Sequence, residues 1–350
     1  MGAQGLIQWQ GITEQASLLT STTLPPGNSS PSVTRFVAVP GDTTLLVLDT
    51  SILTAQDNDT GFYLAVASDD VSWRGATVVR SVDGVSDWQP VATFQARARY
   101  GVTATVLGDW PGYNTWDRAS TVDITMAYGT PDSSTEDAIL AGLAHPYLIG
   151  DEIVYAATAT FLSGTTWRLS VFLRGRRGTE WAMGAHTTDE QAIVLESDTV
   201  QRYSAPTTDV YHTRYYKTLS TGQGIDDVTA TTVVNRAHGQ DCFAPGHVRG
   251  TRNASNDVTA TWRPRTRIPW TRIAGVAGPL GEREERYTVS SILGLGSPIV
   301  LRTWTVTTRT VTYLASEQTA DGLTPGDPVY LKVQMLNDYT GAGHAAEAAL

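Results

Sequence analysis

The residues with the densest chemistry are the arginines of Arg174-Gly175-Arg176-Arg177-Gly178, the acids of Asp57-Asn58-Asp59, the trio Glu282, Glu284 and Glu285, and six histidines. A guanidinium grips carboxylate or phosphate as a planar fork. Three arginines on a turn with two glycines, which permit φ > 0, therefore point at something. Arg174 and Arg177 can pair with carboxylates of their own domain, such as Glu152 or Glu180. Alternatively, Arg174, Arg176 and Arg177 meet a neighbouring subunit, or they contact phosphate. The sequence carries 35 acidic and 25 basic residues, a net charge of −10, which weighs against nucleic acid.

The other groups lead to no reaction. Asp57-Asn58-Asp59-Thr60-Gly61 starts like a calcium loop, but the distal bidentate glutamate is missing, so it reads as a solvated turn. Glycoside hydrolysis needs two carboxylates facing each other across a sugar. Glu282, Glu284 and Glu285 instead crowd a loop and strand edge, with Arg283 and Arg286 beside them to neutralise them. His145, His186, His212, His238, His247 and His344 show no short metal-ligand spacing. Neither a Gly-x-x-x-x-Gly-Lys loop nor His-Glu-x-x-His occurs. The lone Cys242 excludes an internal disulfide framework and a cysteine zinc cluster. The expectation is a protein without catalysis, metal or cofactor. Ten tryptophans, among them Trp73, Trp88, Trp110, Trp116 and Trp270, fill cores or interfaces, or else form a sugar-binding platform.

The elements that hold these residues read as strands. Threonine, valine, tyrosine and tryptophan are plentiful and long Ala/Leu/Glu/Lys stretches are missing, which predicts an all-β chain of two or more antiparallel sandwich or barrel domains. Residues 1–32 are expected to form an extended arm that orders on a neighbour through Leu6, Ile7 and Trp9. Residues 33–200 form a β-rich domain, with Thr44 to Leu48, Phe62 to Val66 and Ala76 to Arg80 as strands and Asp83-Gly84 turning toward Val91 to Phe94. Ser133 and Glu136 have capping-box spacing ahead of a short helix. Residues 201–244 are expected as a connector, and 245–350 as a fibronectin type III-like sandwich with a flexible end at Gly341-Ala342-Gly343. Met1 to Leu19 lacks the basic and apolar regions of a signal peptide, and no run approaches the ~18 apolar residues of a membrane span.

Two stretches resemble one family. Leu173-Arg174-Gly175-Arg176-Arg177-Gly178-Thr179-Glu180 is similar to a signature in the C-terminal region of the large tail-tip hub proteins of gene transfer agents and related siphophages. Gly150 to Tyr155 upstream and His186 downstream fall where that family has similar residues. The second stretch runs from Trp262-Arg263-Pro264-Arg265-Thr266-Arg267 through Pro279-Leu280-Gly281-Glu282 to Thr312-Tyr313 and Ala320-Asp321-Gly322. Longer members carry a glycosidase-like region ahead of these parts, and nothing similar occurs here, so wall-cutting activity is not carried over.

The resemblance implies a structural component of a phage or gene transfer agent tail tip or baseplate. Its partners would be the hub and the distal tail protein, within a homotrimer, with a host surface receptor beyond them. It would act in the virion after synthesis in the bacterial cytoplasm, without nucleic acid and without stable membrane insertion. The competing expectation is a receptor- or glycan-binding adhesion module using Trp110 and Tyr113.

Overall fold

The computed structural model describes residues 41–112, 114–270, 275–276 and 278–350. Leu6, Ile7, Trp9 and Tyr113 lie outside the described residues. The body is all-β, as its composition predicts.

Strands β1 (Thr44–Leu48), β2 (Phe62–Ala67), β3 (Ala76–Ser81) and β4 (Gln89–Phe94) open the first sandwich. The barrel follows: β5 (Tyr100–Thr103), β6 (Trp116–Tyr128), β7 (Tyr147–Ile149), β8 (Glu152–Ser163), β9 (Thr166–Arg176) and β10 (Gln191–Val194) close in the order β10-β5-β6-β9-β8-β7. The chain then returns to the first sandwich with β11 (Val200–Tyr203), β12 (Thr213–Ser220) and β13 (Thr231–Val234). Its two sheets are β1-β2-β11 and β13-β12-β3-β4. The barrel is thus an insertion between the fourth and fifth strands of a seven-stranded sandwich.

This differs from the expected connector at 201–244, which instead supplies three strands: β11 pairs with β2 and β12 with β3. Strands so far upstream leave no trace in the local sequence. The central strand β2, Phe-Tyr-Leu-Ala-Val-Ala, is buried along its whole length because both faces of its sheet are covered. Phe62, Leu64 and Val66 pack on Val78, Phe94 and Tyr216 of the opposite sheet. Tyr63, Ala65 and Ala67 pack toward Leu148, Ile153 and Ile193 of the barrel. Each large side chain buried this way contributes about 1.5–3 kcal/mol, so the insertion is welded on by apolar packing.

Inside the barrel, Val122, Ile124, Tyr147, Val154, Leu169 and Phe172 share one core. A register shift between Asp117 and Thr121 bends β6 along β9, the device by which sheets curl closed. The short helix α1 (Glu136–Leu140) does occur, but its cap is Thr135, whose hydroxyl accepts from the Ala138 N–H. Ser133, expected in that role, exchanges hydrogen bonds with the Ala159 backbone and staples the segment to β8.

The C-terminal sandwich comprises β14 (Gly246–Arg252), β15 (Val258–Arg263), β16 (Tyr287–Ile292), β17 (Val300–Val306), β18 (Thr310–Tyr313), helix α2 (Ala315–Ala320), β19 (Tyr330–Asn337) and β20 (Gly341–Ala349). Its sheets, β14-β15-β18 and β17-β16-β19-β20, have the fibronectin type III order. The first sandwich has the same order strand for strand once the barrel is removed. Trp262 and Tyr287 meet edge to face at 5.2 Å in the C-terminal core. The expected flexible end is strand β20, started by Asn337, whose side-chain oxygen accepts from the Tyr339 and Thr340 N–H groups and turns the chain back along β19.

Candidate functional site: the joint between barrel and C-terminal sandwich

The arginine-glycine signature forms the corner where β9 leaves the barrel. Gly175 and Gly178 have φ of +57° and +80°, and Arg177, between them, has +58°. A side chain at Gly178 would run into the Phe243 ring, so only glycine lets the corner close on the segment leading to the C-terminal sandwich. Thr179 fixes the corner, its hydroxyl donating to the Arg176 carbonyl and accepting from the Ile153 N–H at 2.9 Å.

Arg174 does not reach the surface. Its side chain is fully buried against Glu152, by Nη2 at 2.7 Å and Nε at 2.9 Å, with Asp117 at 3.3 Å and the Gly108 carbonyl at 2.8 Å. As an interface residue Arg174 is therefore excluded in the described chain, and the in-domain pairing with Glu152 is what forms. His186 completes the network, its Nε2 2.8 Å from Glu152 and its Nδ1 2.7 Å from Glu190. Burial acts to raise the Glu152 pKa, but His186 and Arg174 outweigh it and hold the carboxyl below its usual value. Burial likewise disfavours the His186 imidazolium, yet hydrogen bonds to Glu152 and Glu190 raise its pKa above the ordinary 6.5. All these groups are saturated by one another. The arrangement holds a corner rigid, with Glu152 and Glu190 both engaged by neighbours.

From this corner one ion pair crosses to the sandwich. Glu180, expected with Glu152 among the in-domain partners of Arg174 and Arg177, is taken by Arg265 at 2.5 Å. Arg267, only 4% exposed, donates to Glu282 at 2.7 Å and to Asn58 of the first sandwich at 2.7 Å. Its Nη1 also reaches the Gly239 carbonyl and its Nη2 the Gly281 carbonyl. The acids of Asp57-Asn58-Asp59 are engaged as well: Asp57 accepts from the Thr54 and Tyr63 side chains, and Asp59 holds Arg202. Glu284 pairs with Arg286, and Glu285 with Arg309.

Beside these pairs, Asp49, His238, Asp241 and His344 line the seam. His238 Nδ1 is 2.6 Å from Asp241, and His344 stacks flat on Trp181 with centroids 4.9 Å apart. The Asp241 hydrogen bond raises the His238 pKa, whereas burial lowers that of His344. Trp181 and His344 are the joint residues that pattern reading missed: Trp181 directly follows the first family-like stretch, and nothing in the sequence marked His344 for this role. Arg265 and Arg267 lie within the second stretch, but their partners could not be read from it.

Among the proposed interface residues, Arg176 is half-buried and donates to Asn114 Oδ1 at 3.2 Å, and Arg177 is half-buried with no ion pair among the described residues. Trp110 is half-buried and packs over Gly112. Arg174 and Arg176 both contact the loop that carries Trp110, at the Gly108 carbonyl and at Asn114. No group of three His, Cys, Asp or Glu among the described residues is arranged to hold a metal ion.

Fold and joint together define a barrel inserted into one sandwich and braced against a fibronectin type III-like second. Residues 98–193 match the family described as "Rcc01698-like, C-terminal", and that segment coincides with the barrel from β5 to β10. Structural neighbours include the FN5 domain of Drosophila Lar, at 20% identity over 31% of this chain and 91% of that one, with a TM-score of 0.20. A segment of two fibronectin type III domains from chicken tenascin matches at 10% identity over 72% of this chain and 98% of its own, with a TM-score of 0.24. No curated protein matches the sequence.

Proposed function

We propose that this chain is a non-enzymatic structural component of a phage or gene transfer agent tail tip or baseplate. It assembles with the hub and the distal tail protein, as a trimer, and helps position or open the tip at the host surface. The observation that carries this reading is how the joint uses its charged residues. The two family-like stretches meet there through Glu180 with Arg265, and Arg267, paired with Glu282 inside the second stretch, reaches Asn58 of the first sandwich, so these charges tie one module to the next. The match of the barrel to the family described as Rcc01698-like supports the same reading. A subunit that transmits force or position between neighbours needs stiff internal joints and free outer faces.

Co-expression of the chain with the hub tests this, followed by cross-linking and light scattering of the purified material. A stable complex containing three copies of the chain is expected. A monomer that never joins the hub or the particle would overturn the proposal.

A further inference from the structure

Between the β9–β10 connection of the barrel and strands β14 and β20 of the C-terminal sandwich runs an open groove of about 910 Å³. That is the size of many ligand sites, which favour boundaries between modules. Trp181 stands on its rim, 45% exposed. One face of its indole is covered by His344, stacked within 12° of parallel, and the stack fixes the ring while leaving the rest open. Alanines of β20 add methyl groups to the lining, beside Pro245, Val248 and Pro264.

The polar groups around this ring are held at fixed positions. The Glu180 and Arg265 side chains are locked to each other at 2.5 Å and present both donors and acceptors. Arg263 is exposed and has no ion pair among the described residues. His247 sits at φ +55° within the irregular pairing of β14 between Gly246 and Arg249, a bulge that re-aims a side chain, and it lines the groove.

We propose that this groove binds an oligosaccharide, with a pyranose ring stacked on the open part of Trp181 and its hydroxyls meeting Arg263, the Arg265–Glu180 pair and His247. A pyranose offers an apolar C–H face rimmed by hydroxyls, which matches one fixed aromatic plane bordered by paired hydrogen-bonding groups. An aliphatic ligand would leave the polar groups of the lining without hydrogen-bond partners. A strongly anionic one would meet Glu180 and Glu347 as well as the arginines. This site is distinct from the sugar platform that the sequence suggests at Trp110 and Tyr113. This inference is independent of the tail-tip reading, since a subunit of the tip can be present in the particle with or without binding sugar.

The test titrates the purified full chain with the neutral chitohexaose, maltohexaose and xylohexaose, followed by calorimetry and tryptophan fluorescence. At least one probe is expected to bind, with Trp181→Ala weakening it tenfold or more, Trp181→Phe weakening it less, and Arg263→Ala weakening it several-fold. Arg263 is exposed, so its variant reports on the site even where loss of Trp181 disturbs the fold. No binding of any of the three at millimolar concentration would overturn the proposal. So would binding that is indifferent to both Trp181→Ala and Arg263→Ala.

Discussion

Replacing Arg174 by alanine is the most informative perturbation of the barrel corner. The substitution strips Glu152 of three contacts between 2.7 and 3.1 Å and strips Asp117 of the guanidinium beside it, while all three side chains are fully buried. Glu152 would keep His186 and the Gly175 N–H, and Asp117 would keep the Ala119 and Ser120 N–H groups. Breaking one partner of a buried pair costs about 3–5 kcal/mol, because the other is left charged without compensation. Urea unfolding followed by tryptophan fluorescence should show a loss in that range, with the slope against denaturant unchanged. Adding Glu152→Gln should cost less in the Arg174→Ala background than alone, since there it removes a carboxylate already left unpaired, whereas alone it leaves the buried Arg174 guanidinium without its main partner. Arg176→Ala, which removes one half-exposed contact to Asn114, should stay within about 0.5 kcal/mol of the parent. A loss at Arg174 below about 1 kcal/mol, the range of exposed pairs, would refute the claim that this arginine anchors the corner.

The His186 imidazolium sits between two carboxylates, and a neutral ring can donate to only one of them. Its pKa is raised in the fold, so its stabilisation is fully present below the unfolded value near 6.5 and fades as pH climbs through the folded value. His186→Gln should flatten that alkaline decline in a series of urea melts. Glu152 works in the opposite sense: its lowered pKa gives stability that holds above 4.5 and fades as pH falls through the folded value, and Glu152→Gln should remove this acid-side decline. Gly178→Ala should destabilise by about 1–3 kcal/mol, because a methyl group meets the Phe243 ring at φ +80°, and a melt equal to the parent would contradict this. Arg267→Ala leaves Glu282 with Asn337 but no cation and cuts the bonds to Asn58 and the Gly239 carbonyl, so hydrogen exchange at residues 239–241 should accelerate while the barrel core stays protected.

Much of the secondary structure was legible because strands here alternate or run apolar between turn signals. Asp83 accepts from the Val85 and Ser86 N–H groups, and β4 pairs with β3, as the Asp-Gly turn implied. Two things escaped. The return of β11 to β2 joins residues more than 130 positions apart, and no local pattern encodes such a partner. Strand β20, Gly-Ala-Gly-His-Ala-Ala-Glu-Ala-Ala, lacks large apolar side chains and is held mainly by its ladder to β19, so it reads as a tail. At the joint, pairing of Arg174 with Glu152 was foreseeable from charge and spacing. The choice of Arg265 by Glu180 was not, because it depends on how the C-terminal sandwich docks against the corner.

A density map of the assembled tail end, from particles made with this chain present and with it deleted, tests the central claim most directly. The account predicts that the barrel and its two sandwiches appear as one braced unit at the tip, in threefold arrangement, and vanish on deletion. Identical maps from the two particles, with the chain recovered free in solution, would contradict it.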